Sequence, residues 1–469
     1  MKIVAVISLS LLLSTFCSAV KTITFSSAAT ATSSHNVTAI FQTSSATSGI
    51  ISTVAGNKKL NEGSTVDGGA ATSRKLFQPY GLSLDKEGNS YIAAYGDNKI
   101  FKVTASSGIM TTVAGTGVSG YDGDGGQATL AMLNSPMGVS LDTAGNIYIA
   151  DLLNYRIRKI TVSTGVITTV AGKGSDGIGG PAKDNNLATN TYINPPNDVT
   201  VDPSGNIFFA SDVQIHKVTA STGIITTIWG PYSDPAIYGA NGVALDASGN
   251  VYVAGGSLDP CIFKVSASTG KLSVVAGLGP AISLFDRSGY NGDDILATAA
   301  KLREPRKVTF DASGNMYISD TGNKRIRKVT AITGIITTVA GSGDVGILPY
   351  DGEGGIATMA SLYRPEGIAI DTVGNLYFTD SYMGVERKVS YTGTAPSISV
   401  TSAPSVKGAP STPVASTPAA SSPSPSYSST KAPATPSSTG SQSSATTCVA
   451  QAFNLTITLL LALLILHLC

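Results

Sequence analysis

Residues 307–329 read Lys-Val-Thr-Phe-Asp-Ala-Ser-Gly-Asn-Met-Tyr-Ile-Ser-Asp-Thr-Gly-Asn-Lys-Arg-Ile-Arg-Lys-Val, and this stretch decides the fold because it recurs. In every copy a short apolar segment ends in Asp, and Gly-Asn follows after two further residues. Six copies are present, with their aspartates at Asp85, Asp142, Asp202, Asp246, Asp311 and Asp371. The aspartates are 57, 60, 44, 65 and 60 residues apart, so the repeating unit is long and one of its loops varies in length.

Each unit contains four strand candidates, which in the fifth copy are residues 308–311, 315–319, 324–329 and 334–340. Alternating apolar residues, β-branched residues and Gly-Asn turns favour hairpin-linked strands over helices. Four antiparallel strands repeated around an axis form a propeller, because each blade buries both faces against its neighbours. We therefore predict an all-β, six-bladed β-propeller of four-stranded antiparallel blades, with short helical insertions between the blades.

The fourth strand of the unit indicates how the ring closes. Copies of Ile-Thr-Thr-Val-Ala-Gly end most units, whereas the sixth unit runs out after Tyr391. One extra copy, at residues 51–56, precedes the first unit. We expect this N-terminal strand to complete the last blade, which leaves no exposed sheet edge. The alternative is an open solenoid, which needs capping repeats that the sequence does not show.

The motifs Pro-x-Gly-Val-x-Leu-Asp, Gly-Asn-x-Tyr-Ile-Ala-Asp and Asn-x-Arg-Ile-Arg-Lys resemble NHL repeats. The long inter-blade loops, such as Tyr121-Asp-Gly-Asp-Gly-Gly-Gln-Ala, are similar to those of teneurins and of many bacterial secreted proteins. The resemblance covers residues 45–393 and implies the propeller fold. It implies little about activity, since propellers have many functions.

The two ends of the chain predict secretion and membrane attachment. Lys2, an apolar run and small residues up to Ala19 form a signal peptide over residues 1–19, followed by an N-terminal segment, 20–44. A Ser/Thr/Pro-rich stretch, 394–447, predicts a disordered, O-glycosylated stalk. The hydrophobic tail, 448–469, follows small residues and predicts a glycosylphosphatidylinositol (GPI) anchor at Ser443 or Ser444. The alternative is a short single-pass helix. The expected location is the cell surface.

The expected extracellular body has few other distinguishing chemical features. Asn36 begins a glycosylation sequon, and Cys261 is left as a lone cysteine, so a packed core rather than disulfides must stabilise the fold. The net charge of +1 gives no long-range field to attract nucleic acid.

One position on the first strand of each unit varies while its flanking residues repeat. Chain reversal at each turn puts the loop between strands two and three on the same face as the inter-blade loop, and we call this the top face. The varying position usually follows a proline, and its side chains ring the mouth of the axis if the innermost strand lines that axis. Its occupants are Tyr80, Met137, Asn197, Asn241, Arg306 and Glu366. Such side chains suit a polar or sugar-like ligand, although drift at an exposed loop is the alternative.

The acidic glycine loops are a second candidate site. Asp122, Asp124, Asn291, Asp293, Asp351 and Glu353 supply oxygen ligands of the kind that Ca²⁺ takes. These loops lack the closing Glu of a calcium loop, and the same residues are interpretable as the turn and N-terminal cap of a short helix. Calcium therefore stays a possible cofactor, and no other cofactor is indicated.

The opposite, bottom face carries two rings that we interpret as structural. The six repeat aspartates accept turn hydrogen bonds. Six lysines end the third strands, and they either protect the strand ends or hold an anion. The list is Lys102, Lys159, Lys217, Lys264, Lys328 and Lys388.

Enzymatic activity is left open by the sequence, which favours a binding scaffold. His35 and His216 are the histidines of the expected mature body, and His216 lies where Phe101 and Phe263 stand in other units, so we expect a packing residue. A zinc centre with three histidines is excluded. The expected function is recognition of an extracellular protein or glycan by the top face. The alternative is a calcium-dependent, lactonase-like propeller enzyme.

Overall fold

The fold is seen in a computed structural model that describes residues 49–57, 67–175, 184–230, 239–279, 282–344 and 352–391. These ranges form six antiparallel sheets, five built from strands that lie close together in the sequence and one that also includes the first strand of the described chain. The predicted signal peptide, N-terminal segment, stalk and tail lie outside the described residues, and so do Asn36, Ser443 and Ser444. Across the described ranges, no helix is both long and apolar enough to cross a bilayer.

The strands follow the repeat in order. Ahead of the first repeat lie β1 (Ile50–Ala55) and β2 (Gly69–Ala70). Blade 1 has β3 (Pro79–Leu84), β4 (Ser90–Ala94), β5 (Lys99–Val103) and β6 (Ile109–Ala114). Blade 2 has β7 (Pro136–Leu141), β8 (Ile147–Asp151), β9 (Arg156–Thr161) and β10 (Val166–Ala171). Blade 3 has β11 (Asn186–Leu187), β12 (Pro196–Val201), β13 (Ile207–Ser211), β14 (Gln214–Val218) and β15 (Ile224–Trp229).

The second half of the ring repeats this arrangement. Blade 4 has β16 (Ala240–Leu245), β17 (Val251–Gly255), β18 (Ile262–Val265) and β19 (Leu272–Ala276). Blade 5 has β20 (Ile295–Leu296), β21 (Pro305–Phe310), β22 (Met316–Asp320), β23 (Arg325–Val329) and β24 (Ile335–Ala340). Blade 6 has β25 (Pro365–Ile370), β26 (Leu376–Asp380) and β27 (Val385–Ser390).

Single helical turns connect the blades, as predicted. Five 3₁₀ turns precede blades, at Ala71–Ser73, Ala128–Leu130, Ala188–Asn190, Ala297–Ala299 and Ala357–Met359. Three more join the second and third strands, at Tyr95–Asp97, Leu152–Asn154 and Thr321–Asn323. One short α-helix, α1 (Leu284–Arg287), lies between blades 4 and 5.

The six-bladed prediction is confirmed, and so is the closure of the ring. Strand β1 pairs antiparallel with β27, with Ile51 opposite Val389, so the earliest strand becomes the outer strand of blade 6. Three blades differ from the four-strand expectation, because the two-residue strands β2, β11 and β20 pair with the outer strands β6, β15 and β24. A two-residue strand has no alternation to detect, so the sequence pattern missed it.

The core lies between blades rather than inside them. Ile100 of blade 1 packs with Ile147 of blade 2 in one apolar cluster, and Ile157 of blade 2 packs with Ile207 of blade 3 in the next. Each sheet therefore gains its stability from its neighbours, and the innermost strands are held at fixed positions around the axis.

Candidate ligand site on the top face

The six varying positions converge on one cavity at the axis. Each is the second residue of its blade's innermost strand, after a proline in five blades and after Ala240 in blade 4. All six line the cavity, together with Gly81, Asp198, Lys307 and Gly367. The empty space between them is about 280 Å³, including the part open to solvent. Because part of that space is open solvent, the enclosed part is smaller, and it suits one small polar group rather than a large ligand. The structure brings the predicted residues together, and their binding of a ligand stays a prediction.

Glycine sets how closely the innermost strands approach. A Cβ added at Gly81 would lie 2.5 Å from the Met137 carbonyl oxygen, and one at Gly367 would lie 2.3 Å from the Tyr80 carbonyl oxygen. Gly138 and Gly242 face the next blade equally closely. Side chains are excluded at these four positions because the backbone of the neighbouring blade occupies the space.

Two charged residues replace glycine in the remaining blades. The Lys307 ammonium of blade 5 forms an ion pair with the Asp198 carboxylate of blade 3. The same carboxylate accepts a hydrogen bond from the Val243 amide at 2.8 Å, and the Asp198 side chain is buried. The pair joins two blades that are not consecutive, directly beside the cavity. We had not predicted it, although opposite charges at a position that is otherwise glycine were the available signal.

Glu366 is the most buried member of the ring, with 3% of its surface exposed. Its Oε1 accepts a hydrogen bond from Arg364 Nε at 2.6 Å, and its Oε2 lies 3.7 Å from Arg306 Nε. Burial raises the pKa of Glu366, while the two guanidinium groups oppose that rise. Arg364 was not among the predicted site residues, because it comes directly before Pro365, whereas the predicted residue of this blade, Glu366, comes directly after it.

Asn197 and Asn241 tie neighbouring blades together while facing the cavity. Their amide nitrogens donate to the carbonyl oxygens of Ala240 at 2.8 Å and Pro305 at 3.1 Å, respectively. An asparagine that donates through nitrogen keeps its side-chain oxygen as an acceptor. Arg306 Nη1 lies 3.5 Å from the Asn241 oxygen. The blades therefore fix both amides before any ligand arrives.

Tyr80 contributes a phenol to the same cavity. Its ring lies 5.3 Å from that of Tyr95. Burial raises the pKa of Tyr80, and the Glu366 carboxylate raises it further, so the hydroxyl stays protonated. The cavity thus offers a phenol donor, amide oxygens and guanidinium edges, a set suited to hydrogen bonding rather than to nucleophilic attack.

The carboxylates of the acidic loops form ion pairs with buried arginines. Asp124 lies 2.5 Å from Arg158, Asp293 lies 2.9 Å from Arg327, and Glu353 lies 3.5 Å from Arg387. Each arginine is at most 1% exposed and lies on the third strand of the blade after the loop. A buried guanidinium needs a counter-charge, which these acids supply.

The helix-cap interpretation of these loops is wrong. The residues at the cap positions are Gln127, Leu296 and Ile356, and none makes a side-chain capping hydrogen bond. Asp122 Oδ1 accepts a hydrogen bond from the backbone amide of the neighbouring Gly123. Asp351 lies outside the described residues. Within the part of the chain that the structure describes, no group of three or more His, Cys, Asp or Glu side chains could hold a metal ion. The predicted calcium ligands lie in three separate loops.

On the bottom face, each lysine of the ring covers an aromatic residue of the adjacent strand. Lys328 Nζ lies 5.3 Å from the Tyr317 ring centroid, and the other five lysines lie at 4.9–5.6 Å from theirs. The repeat aspartates accept turn hydrogen bonds, such as the Asn315 amide to Asp311 at 2.9 Å. These contacts support the structural interpretation of both rings.

His216 lies in a buried hydrogen-bonded chain. Its Nε2 is 3.0 Å from Ser211 Oγ, its Nδ1 is 3.3 Å from Thr227 Oγ1, and Thr227 Oγ1 donates to Asp184 at 2.8 Å. The arrangement is similar in form to a serine–histidine–acid relay, which the sequence pattern had not shown. However, Ser211 and His216 are fully buried, so a substrate has no access. Burial lowers the pKa of His216 to about 4, which keeps it neutral, and it packs on Phe209 as expected.

Comparison with known proteins agrees with this geometry. The model of the Teneurin NHL domain matches residues 116–184. The chain is 27% identical over 285 residues to Protein SUPPRESSOR OF QUENCHING 1, chloroplastic, of Arabidopsis thaliana, covering 56% of this chain and 26% of that protein. It is 26% identical to human Teneurin-4 over 285 residues, covering 53% of this chain and 10% of Teneurin-4. The match thus spans only a small part of either relative.

Solved structures show the same architecture. An auxiliary nutrient binding protein from Bacteroides thetaiotaomicron superposes with a TM-score of 0.54 at 18% identity, covering 79% of this chain and 83% of that one. At this identity the likeness shows the fold alone. Six sheets formed by one recurring motif and a closed ring make this chain a six-bladed β-propeller, and its repeats are similar to those of the Teneurin NHL domain.

Proposed function

We propose that the chain is a binding scaffold of the cell surface that presents its top face to an extracellular protein or glycan. The single observation that carries this proposal is the cavity lined by all six varying positions of an otherwise repeating framework. Repetition of the flanking residues is explained by packing between blades. The varied residues at the cavity have no such common structural role, which supports selection for a ligand.

The state of the cavity before binding supports the same function. Asn197 and Asn241 are held by hydrogen bonds to the next blade, and Glu366 is held by Arg364. Groups that are already fixed lose little conformational entropy when a ligand binds, so a small site gains useful affinity. A rigid ring of polar groups in a concave surface is the usual form of a recognition site.

The proposal is tested by filling the cavity without removing any hydrogen bond. Met137 lines the cavity through an apolar side chain, so Met137→Trp blocks it by bulk alone. The matched control is Ile332→Trp, a similar enlargement at a bottom-face turn where the side chain is 85% exposed. The purified full-length chain and both variants are applied to a printed glycan array and a panel of purified ectodomains.

We expect at least one probe whose binding falls tenfold or more in Met137→Trp and is unchanged in Ile332→Trp. Binding that is the same in both variants, or no binding to either set of probes, would refute the use of the top face. The enzyme alternative is checked with a panel of lactones. Hydrolysis that a chelator abolishes would overturn the scaffold proposal in favour of a calcium-dependent lactonase.

Attachment to the membrane is a separate part of the proposal, and it rests on the sequence of the tail. We expect a phosphatidylinositol-specific phospholipase C to release the chain from intact cells. Replacing both Ser443 and Ser444 with leucine should prevent attachment, because the anchor requires small residues at its site. A chain that resists the phospholipase and stays in the membrane fraction would indicate the short single-pass helix instead.

A further inference from the structure

Arg306 is the charged group of the cavity whose hydrogen-bonding capacity is least used. Its Nε atom is buried and has no hydrogen-bond partner among the described residues. Its Nη1 atom makes one long contact, to the Asn241 oxygen at 3.5 Å. A guanidinium carries five N–H donors, so most donors of Arg306 lack an acceptor within the described ranges. The Arg306 side chain is 22% exposed, so a ligand that enters the cavity can reach it.

The carboxylate beside Arg306 is already held by another arginine. Arg364 Nε donates to Glu366 Oε1 at 2.6 Å, whereas Arg306 Nε lies 3.7 Å from Glu366 Oε2, beyond hydrogen-bond distance. Two guanidinium groups therefore share one carboxylate. A ligand can pair with Arg306 while Glu366 keeps its hydrogen-bonded partner, so no buried carboxylate is left alone when the ligand binds.

The other groups of the cavity offer few donors besides those of Arg306. The Lys307 ammonium is paired with the Asp198 carboxylate. The Tyr80 hydroxyl has no hydrogen-bond partner among the described residues, and burial raises its pKa, with the Glu366 charge adding to the rise, so it stays protonated. The donors that a ligand meets are therefore the guanidinium of Arg306 and the phenol of Tyr80, and both suit an anion.

We infer that the cavity takes the side-chain carboxylate of an aspartate or glutamate from an acidic segment of an extracellular protein. A carboxylate has two coplanar oxygens, which match the parallel N–H groups of a guanidinium and form charge-assisted hydrogen bonds with it. Arg306 is the group that receives this carboxylate, and Tyr80 supplies a further donor. The inference deepens the proposed function by choosing a protein over a glycan, and it rests on that function.

The size of the cavity favours a polypeptide as the source of the carboxylate. The empty space of about 280 Å³ includes open solvent, so only a small group enters. In aspartate and glutamate a flexible methylene stem carries the carboxylate, whereas in an acidic sugar the carboxylate is bonded directly to the bulky ring. A polypeptide also brings backbone N–H donors for the Asn197 oxygen, which remains an acceptor while the Asn197 amide nitrogen donates to Ala240.

The test uses the purified full-length chain and an array of capped nonapeptides with varied flanking residues. Each peptide is printed with a central Asp or Glu and, for comparison, with the corresponding Asn or Gln. Arg306→Gln removes the guanidinium, and Met137→Trp blocks the cavity. Arg303→Gln is the matched control, because Arg303 is an exposed arginine just before the same strand and does not line the cavity. Tetragalacturonate, titrated by calorimetry, is the acidic glycan probe.

We expect at least one peptide whose acidic form binds the wild-type chain tenfold or more tightly than its amide form. Arg306→Gln and Met137→Trp should reduce this preference to less than twofold, whereas Arg303→Gln should leave it unchanged. Should Arg306→Gln unfold, Arg306→Lys replaces it, and the preference should fall at least threefold because lysine lacks the planar fork.

Three outcomes would contradict the inference in different ways. Equal loss in Arg303→Gln and Arg306→Gln would show general attraction by surface charge and overturn the inference. Cavity-dependent binding that does not distinguish acidic from amide peptides, or tetragalacturonate binding that requires Arg306 without any bound peptide, would overturn it and leave the proposed function intact. Absence of any binding that depends on Met137, to peptides, glycans or ectodomains, would refute both.

Discussion

The free energy of unfolding should decrease as pH rises, because the carboxyl group of Glu386 is buried at the junction between blades 6 and 1. At five junctions between blades, the third strand contributes isoleucine, at Ile100, Ile157, Ile215, Ile262 and Ile326. At the closing junction between blades 6 and 1 the equivalent residue is Glu386, which is fully buried. Ser90 Oγ of blade 1 donates to its Oε2 at 2.9 Å, while Oε1 has no hydrogen-bond partner among the described residues.

The magnitude follows from linkage between protonation and folding. Burial raises the pKa of Glu386 from its ordinary value of 4.5 to about 8, although Ser90 and Lys388 act in the opposite direction. Between these values the folded chain binds more protons than the unfolded chain, so the free energy of unfolding falls as pH rises. Over the whole interval the loss amounts to about 5 kcal/mol.

The assay compares the wild-type chain with Glu386→Gln by urea unfolding from pH 5 to pH 9. Glutamine has the same shape and does not titrate, so the variant should gain several kcal/mol relative to wild type as pH rises. The comparison cancels the titration of all other groups. Glu87→Gln, at an exposed turn, is the control and should leave the difference flat. A difference between wild type and Glu386→Gln that does not change with pH would show that this carboxyl is not buried in the closing junction.

Three further predictions concern the buried polar groups and the axis. Because the pKa of His216 is lowered to about 4, this residue binds a proton more readily in the unfolded chain below pH 6.5, so its contribution to stability should fall by about 3 kcal/mol as pH drops from 6.5 to 4. The free energy of unfolding of wild type minus that of His216→Phe, from urea unfolding, should fall by this amount, and a difference that does not change with pH would refute the burial of the ring. Arg327→Met leaves the buried Asp320 without its counter-charge and should lower the free energy of unfolding by about 3–5 kcal/mol. Lys328→Met, on the same strand, should change that free energy by less than about 1 kcal/mol. Equal effects of the two substitutions would contradict the proposed role of the buried arginine. Gly367→Ala places a Cβ 2.3 Å from the Tyr80 carbonyl oxygen and should destabilise the fold by about 1–3 kcal/mol. Gly230→Ala, whose Cβ would have its nearest neighbour at 3.5 Å, should leave the stability unchanged. Thermal unfolding compares the two variants, and a tolerated Gly367→Ala would show that the strands do not converge as described.

The blade count, the closure and the ring of six top residues could be predicted because each depends on a pattern that recurs in every repeat. The position after the leading proline fixes Tyr80 and its equivalents to the innermost strand, and the period of the strand fixes the direction in which they face. Six copies make an error in one copy easy to detect.

The parts that were missed depend on contacts between different repeats. The ion pair between Asp198 and Lys307 joins residues from blades 3 and 5, and the stacked rings of Tyr363 and Tyr382 join two loops of blade 6. Neither has a periodic pattern, because each occurs once. The acidic loops were misinterpreted for the same reason, since the arginines that bind them lie on a strand of the following blade, and only the fold brings them together.

The pairing of β1 with β27 has a consequence for synthesis on the ribosome. The partner of Ile50–Ala55 is Val385–Ser390, which is translated about 330 residues later. At roughly 5–20 residues per second, the first strand waits about 15 seconds to one minute before its partner emerges. During that time the nascent chain is an arc with an open end, and the strand needs protection from pairing with other chains. A premature stop anywhere before residue 385 would leave that end open permanently, so a truncated product should be recognised as unfolded however many of its blades have already formed.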